Sequence, residues 1–118
     1  MNSIIKGKVI KGDGYGKKIG YPTINIDRRN FLSLKDRPDF GVYAGVVELG
    51  NKKYRAGIII GPLDKKGKPK VEAHLLNYKG SAYGKKATLF LKKFIREFKH
   101  FKTEKELIAQ IGKDLNKC

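Results

Sequence analysis

The sequence predicts a mainly β protein, an antiparallel barrel or sandwich followed by one C-terminal helix. Six short segments rich in aliphatic residues recur along the chain, and polar or glycine-containing turns separate them. A helical period begins only after residue 103. At 118 residues and 40% hydrophobic content, the chain can bury one modest core. We therefore expect a single domain over residues 1–118.

The predicted strands follow one another without intervening helices. They cover residues 3–11, 23–27, 41–49, 53–60, 70–77 and 85–95. The turn signal Gly50-Asn51-Lys52 predicts a hairpin between the third and fourth strands. In the fifth strand, apolar residues at 71, 73 and 75 alternate with Glu72 and His74. Residues 28–40 are polar enough to predict a surface loop or flap, and residues 62–69 predict a second loop.

The last segment has the period of an amphipathic helix. Thr103 and Glu106 form a capping-box pattern, with the glutamate three residues after the threonine. Leu107, Ile111 and Leu115 then recur every four residues and give one apolar stripe. We expect this helix to pack against the barrel across an open end.

The net charge of +16 is compatible with nucleic acid, an anionic membrane or a phosphorylated small molecule as partner. The lysines are spread along the chain, without an arginine cluster or aromatic–basic interleaving, so charge alone does not predict nucleic-acid binding. No apolar run is long enough to span a bilayer, and the N-terminus lacks the apolar core of a signal peptide. The one cysteine, Cys118, allows no intrachain disulfide, so we expect a cytoplasmic protein.

Residues 12–25 have the composition of a phosphate and metal site. The backbone of a glycine-rich loop can approach an anion closely, and lysine adds positive charge beside it. The residues of this kind are Gly12, Gly14, Gly16, Lys17 and Lys18. Thr23 and Asn25 follow with neutral oxygen ligands that suit Mg²⁺. The spacing is not that of a P-loop, and a strand rather than a helix follows. The alternative is a polar turn between two strands.

The order and spacing of several short motifs are similar to those of the riboflavin kinase (flavokinase) family. The family pattern is a glycine-rich loop, Gly-Phe-Pro-Thr-Ala-Asn, Gly-Val-Tyr, Glu-x-His, Tyr-Gly, Ile-Arg and a final helix. This chain has Gly20-Tyr21-Pro22-Thr23-Ile24-Asn25, Gly41-Val42-Tyr43-Ala44, Glu72-Ala73-His74-Leu75-Leu76, Tyr83-Gly84 and Ile95-Arg96-Glu97. The resemblance covers about residues 7–114.

The resemblance implies a six-stranded antiparallel barrel of Greek-key type with a C-terminal helix. It also implies transfer of the ATP γ-phosphate to the terminal ribityl hydroxyl of riboflavin, which gives FMN. Thr23 and Asn25 would hold Mg²⁺ with the nucleotide phosphates, and Glu72 would be the catalytic base. The phosphates would lie under Gly12, Gly14, Gly16, Lys17 and Lys18. Glu72, Tyr83 and Arg96 would contact the flavin.

The residues are chemically suited to these roles, although each has a plainer interpretation. A primary alcohol needs a carboxylate to accept its proton as the new P–O bond forms. Taken alone, Glu72 is more simply a solvated charge on a strand. For His74 we expect a structural or orienting role. Two departures from the family pattern are Lys17 in place of arginine, which removes the bidentate fork, and Ile24 in place of alanine. A third is the loop at residues 59–63.

The expected partners are riboflavin/FMN and ATP/ADP, with neither nucleic acid nor membrane, and the expected state is a monomer. Many bacterial relatives fuse this domain to an FMN adenylyltransferase; we expect this chain to stop at FMN. Nothing in the residues separates ATP from CTP or GTP as donor. Two alternatives stay open: a small basic nucleic-acid-binding barrel, and a flavin-binding protein without catalysis.

Overall fold

The structure, a computed structural model, describes residues 3–10, 23–78, 81–97 and 102–117. Its strands are β1 (Ser3–Ile10), β2 (Thr23–Ile26), β3 (Gly41–Leu49), β4 (Lys52–Leu63), β5 (Pro69–Leu75) and β6 (Lys86–Arg96). Its helices are α1 (Arg29–Ser33) and α2 (Glu104–Asn116). Within these parts of the chain, no helix has the length and apolar character needed to cross a bilayer.

The six strands form a closed barrel in the order β1-β2-β5-β4-β3-β6, and every neighbouring pair is antiparallel. This confirms the predicted mainly β fold and decides between its two forms, since the sheet closes on itself and is not a sandwich. The predicted hairpin joins β3 and β4, with Gly50 in the left-handed region at φ +60°. The short β2 lies between β1 and β5, which brings residues about fifty positions apart together.

The barrel interior is filled by aliphatic side chains that alternate with outward residues along each strand. Val47, Ile58 and Leu89 are completely buried at its centre. Where β3 bulges against β6, a Cβ at Gly45 would collide with the carbonyl oxygen of Phe90. The close strand approach at that bulge therefore requires glycine.

The segment predicted as a surface loop contains helix α1, and its Phe31 is completely buried in the barrel core. That expectation was wrong for residues 29–33, for a reason that only the tertiary structure supplies, whereas residues 34–40 contain no helix or strand. β2 has four residues and pairs with β1 only at its C-terminal end, so the first half of β1 lacks a strand on that side. Helix α1 takes this place, and the Asn30 side chain donates to the Lys6 carbonyl at 3.0 Å.

The residue just before α1 is tied to the β4–β5 turn. The Arg28 guanidinium lies 2.6 Å from the Asp64 carboxylate. Backbone N–H groups of Lys68 and Lys66, together with Arg28, hold the pKa of the Asp64 carboxyl below its usual value. The predicted second loop, residues 62–69, is shorter in the structure, because β4 continues to Leu63 and β5 begins at Pro69.

Helix α2 contacts β3 and β4 of the barrel wall, and its predicted position across an open end stays a prediction. Val42 and Ala44 of β3 point outward from the barrel, yet they are only 4% and 8% exposed. Neither belongs to the barrel core, and the same is true of the buried Ile111 of α2. Exposure of these outward apolar side chains to water would be unfavourable, which explains why α2 packs on this part of the barrel wall. The predicted cap is confirmed, since Glu106 N–H donates to Thr103 Oγ1 at 3.2 Å.

Candidate active site

Strands β2 and β5 place four of the singled-out polar residues on one outer surface of the barrel. Ile24 and Ile26 of β2 point into the core, so Thr23 and Asn25 point outward. In β5, Val71 and Ala73 point inward, so Glu72 and His74 point outward. We call the surface formed by Thr23, Asn25, Glu72 and His74 the polar face.

The strand register brings these residues into direct opposition. Asn25 is the Cα partner of Glu72, and Thr23 is the Cα partner of His74. Directly opposed residues in an antiparallel pair have Cβ atoms about 4.5–5.5 Å apart. The hydroxyl Oγ1 of Thr23 lies 2.9 Å from Nδ1 of His74, which is a hydrogen bond across the ladder. Two neutral side-chain oxygens and one carboxylate thus lie on one patch of the wall.

The polar face is neither core nor open surface. Thr23, Asn25 and Glu72 are half-buried, and His74 is only 9% exposed although it points away from the barrel core. Partial burial lowers the local dielectric and strengthens interactions with a charged ligand. The surface can therefore hold a charged group more firmly than freely solvated residues would.

Glu72 also belongs to a row of paired residues that crosses five strands. In order of strand pairing the row is Asn25, Glu72, Ile59, Val42 and Arg96. Glu72 and Arg96 are three strand spacings apart, about 14 Å along the wall. The predicted base and the predicted flavin-contacting arginine therefore lie on one outer surface, with two aliphatic residues between them.

Arg96 has a structural contact that the sequence did not predict. Its Nε donates to Asp114 Oδ1 of α2 at 2.9 Å, and its Nη2 donates to Oδ2 at 2.7 Å. The two side chains are 16% and 7% exposed, and Gln110 also donates to Asp114. The pair joins β6 to α2 by a bidentate fork. A flavin contact by Arg96 stays a prediction, and no sequence pattern had linked Arg96 to Asp114.

Tyr83 lies in the connection before β6 and is 67% exposed. The neighbouring Gly84 N–H donates to the Val9 carbonyl at 2.9 Å, so this connection runs beside the end of β1. Its predicted role as a wall of the flavin pocket stays a prediction. The predicted phosphate-binding residues lie outside the described residues; they are Gly12, Gly14, Gly16, Lys17 and Lys18.

The donor atoms of the polar face fit a hard cation. A threonine hydroxyl, an asparagine carbonyl and a neighbouring carboxylate are all oxygen donors, which Mg²⁺ prefers. In the described parts of the chain, no group of three or more His, Cys, Asp and Glu residues could hold a metal ion. Thr23 and Asn25 offer two neutral oxygens, so a cation bound there would take its further oxygens from a phosphorylated ligand.

A small β-barrel with paired oxygen ligands beside a carboxylate defines a candidate phosphoryl-transfer domain. The chain belongs to the riboflavin kinase family, because the family model described as "Flavokinase: Riboflavin kinase" matches residues 1–118. This confirms the resemblance on which the residue roles depend.

A curated relative agrees with that assignment, and two solved structures share the fold. The chain is 36% identical over 116 residues to the bifunctional riboflavin kinase/FMN adenylyltransferase of Buchnera aphidicola subsp. Schizaphis graminum, covering 94% of this chain and 36% of that protein. A crystal structure described as a macrolide-efflux protein from Streptococcus pneumoniae matches with a TM-score of 0.82 at 28% identity, covering 96% of this chain and 37% of the other. Riboflavin kinase from Trypanosoma brucei shares the fold, with a TM-score of 0.68 at 23% identity over 98% of this chain and 76% of the other.

Proposed function

We propose that this chain is a riboflavin kinase, which transfers the γ-phosphoryl group of ATP to the ribityl 5'-hydroxyl of riboflavin and releases FMN and ADP. Family membership supports the activity, although the chain spans only 36% of the length of the bifunctional relative from Buchnera. The observation that carries the proposal is the register of β2 with β5, which sets Asn25 directly opposite Glu72.

Glu72 is the proposed catalytic base. The ribityl hydroxyl has a pKa far above neutrality, so it becomes a good nucleophile only as its proton leaves during attack on phosphorus. A half-buried carboxylate on the barrel wall can accept that proton while the oxygen–phosphorus bond forms. The bond from the γ-phosphorus to the β–γ bridging oxygen breaks at the same time, and ADP leaves with that electron pair.

Thr23 and Asn25 are the proposed ligands of Mg²⁺, which would neutralise charge on the nucleotide phosphates. Their spacing of two residues on one strand puts both oxygens on the same face as Glu72. The proposed phosphate cover consists of Gly12, Gly14, Gly16, Lys17 and Lys18.

The flavin is proposed to lie on the outer surface beside Glu72 and over Ile59, because Val42, the next residue of the row, is only 4% exposed where α2 packs. A ribityl chain that ends at Glu72 would extend along this row, and Ile59 offers an apolar surface beside it. Tyr83 is proposed as a further wall of the pocket. Arg96 would contact the substrate from its position beside Asp114, which already orients the guanidinium plane.

The proposed enzyme acts as a monomer in the cytoplasm, without a nucleic-acid or membrane partner. Nucleoside triphosphates are available in that compartment, and a chain with one cysteine has no intrachain disulfide to lose under reducing conditions.

The decisive experiment is incubation of the chain with riboflavin and a panel of nucleoside triphosphates with Mg²⁺, followed by chromatography for FMN. The proposal requires FMN with ATP. If CTP or GTP is the better donor, the donor is corrected and the kinase activity stands. Flavin binding without FMN from any donor would favour a carrier. Retention on RNA with a steep salt dependence, and no FMN, would favour the nucleic-acid alternative.

A further inference from the structure

The hydrogen bond between Thr23 and His74 links a proposed cation ligand to a side chain for which the sequence predicted only a structural or orienting role. Thr23 Oγ1 and His74 Nδ1 are 2.9 Å apart, although the residues are separated by 51 positions in the sequence. His74 is 9% exposed, so water competes little for this bond. Its partner on the other side, in β4, is Gly57, which has no side chain to crowd the imidazole.

The direction of this bond decides what Thr23 can offer to a cation. A hydroxyl has one proton and two lone pairs. If Thr23 donates its proton to a neutral His74 Nδ1, the proton turns towards the imidazole and both lone pairs of Oγ1 point away from it. If Nδ1 carried the proton instead, it would occupy one of the lone pairs, and the hydroxyl proton would have to point elsewhere. A bound cation therefore favours the tautomer with the proton on Nε2.

We propose that His74 is a positioning residue for the cation site: its Nδ1 accepts the Thr23 hydroxyl proton and so aims the lone pairs of Oγ1 at the cation. The proposal rests on the proposed function, because it takes Thr23 as a ligand of the metal–nucleotide complex. It gives a role to a residue that points outward from the barrel core and is nevertheless only 9% exposed. Partners of this kind fix the orientation of metal ligands and raise their basicity.

Three substitutions separate this role from simple packing. His74→Asn keeps a polar atom near the position of Nδ1, His74→Gln moves it to the position of Nε2, and His74→Leu removes it at similar volume. The measurement is the affinity for Mn²⁺–ADP by calorimetry and by the Mn²⁺ electron paramagnetic resonance signal. We expect a loss of about tenfold for His74→Leu and His74→Gln and a clearly smaller loss for His74→Asn. An equal loss in all three variants would overturn the proposal.

A double-mutant cycle with Thr23→Val tests whether His74 acts through the hydroxyl. Thr23→Val keeps the shape of the side chain and removes its oxygen. In that background, His74→Leu should cause no further loss of Mn²⁺–ADP affinity. Full additivity of the two losses would contradict the proposed coupling. The KM for riboflavin should change less than the Mn²⁺–ADP affinity in the single His74 variants, because the proposed flavin surface runs across the strands from Glu72 over Ile59, whereas His74 lies two residues along β5 from that row.

The binding measurement needs no phosphoryl transfer, so the two proposals fail in different ways. If the wild-type chain makes FMN but His74→Leu binds Mn²⁺–ADP as the wild type does, the role of His74 is wrong and the kinase proposal stands. If the wild-type chain binds Mn²⁺–ADP in a His74-dependent way and makes no FMN, the kinase proposal is wrong and the positioning role stands.

Discussion

The polar face of β2 and β5 and the outer face of β1, β6, β3 and the start of β4 both carry charged side chains, but they differ in burial and in pairing. On the second surface, which we call the lysine face, the register aligns Lys6 with Thr88, Lys8 with Lys86 and Glu48 with Lys53. These lysines are exposed, and Glu48 and Lys53 are 3.9 Å apart, at the outer limit of an ion pair.

The difference shows that charge density does not by itself make a site on this protein. Most of the +16 charge comes from lysines distributed along the chain, and on the lysine face they are solvated. The polar face has fewer charges, but it is half-buried, and a cross-strand hydrogen bond orients its groups. Oriented groups in a lower dielectric stabilise developing charge more than mobile lysines in water do.

The largest expected effect is on the rate of FMN formation, and it compares Glu72 on the polar face with Glu48 on the lysine face. Glu72→Gln should lower the kcat for FMN formation by about 100- to 10,000-fold, because the amide cannot accept the ribityl proton. Glu48→Gln on the lysine face is the matched control and should leave the rate near that of the wild type. Steady-state kinetics measures both. Equal rates in the two variants would remove Glu72 from the mechanism.

The second effect compares two ion pairs and concerns stability. Asp114→Ala leaves the poorly exposed Arg96 without its bidentate partner and should lower the free energy of unfolding by about 3 kcal/mol. Glu48→Ala breaks the exposed pair with Lys53 and should cost less than about 1 kcal/mol. Urea unfolding gives both values. Similar losses would show that the Arg96–Asp114 pair does not anchor α2.

The third effect tests the oxygen ligands of the polar face. Asn25→Ala should weaken Mg–nucleotide binding by at least about tenfold, since even the outer partners of metal ligands contribute that much. Thr88→Ala, a half-buried residue of the lysine face, is the control and should bind nucleotide as the wild type does. Calorimetry with Mg–ADP is the measurement. Unchanged affinity in Asn25→Ala would exclude it as a ligand.

The smallest effect is expected on the lysine face itself. The double substitution Lys6→Gln and Lys86→Gln removes two exposed charges and should change kcat/KM for riboflavin by no more than about twofold. The same assay run at several salt concentrations completes the comparison. A loss of tenfold or more would mean that this surface takes part in substrate binding and that the two faces are not functionally distinct.

Local sequence patterns predicted most of the elements. The third strand was predicted at the bounds that the structure has, because a glycine turn marks its end and aliphatic residues fill it. The starts of β1 and β2 also match, the predicted end of β1 at Lys11 lies outside the described residues, and the remaining strand ends differ by one to three residues. Pairing with a neighbour extends or shortens a strand beyond its local signal. Helix α1 was missed because its five residues have no amphipathic period, and the need for buried Phe31 arises only from the gap that the short β2 leaves.

The chain by itself determined which residues alternate between core and surface, where α2 is capped, and which side chains have the chemistry for a cation and a base. These properties depend on neighbours a few residues away. Only the tertiary structure decided that β2 lies beside β5, that Thr23 bonds to His74, and that Arg96 is held by Asp114. Such contacts join distant positions through the closure of the barrel, and the periodicity of a single strand contains no information about its partner.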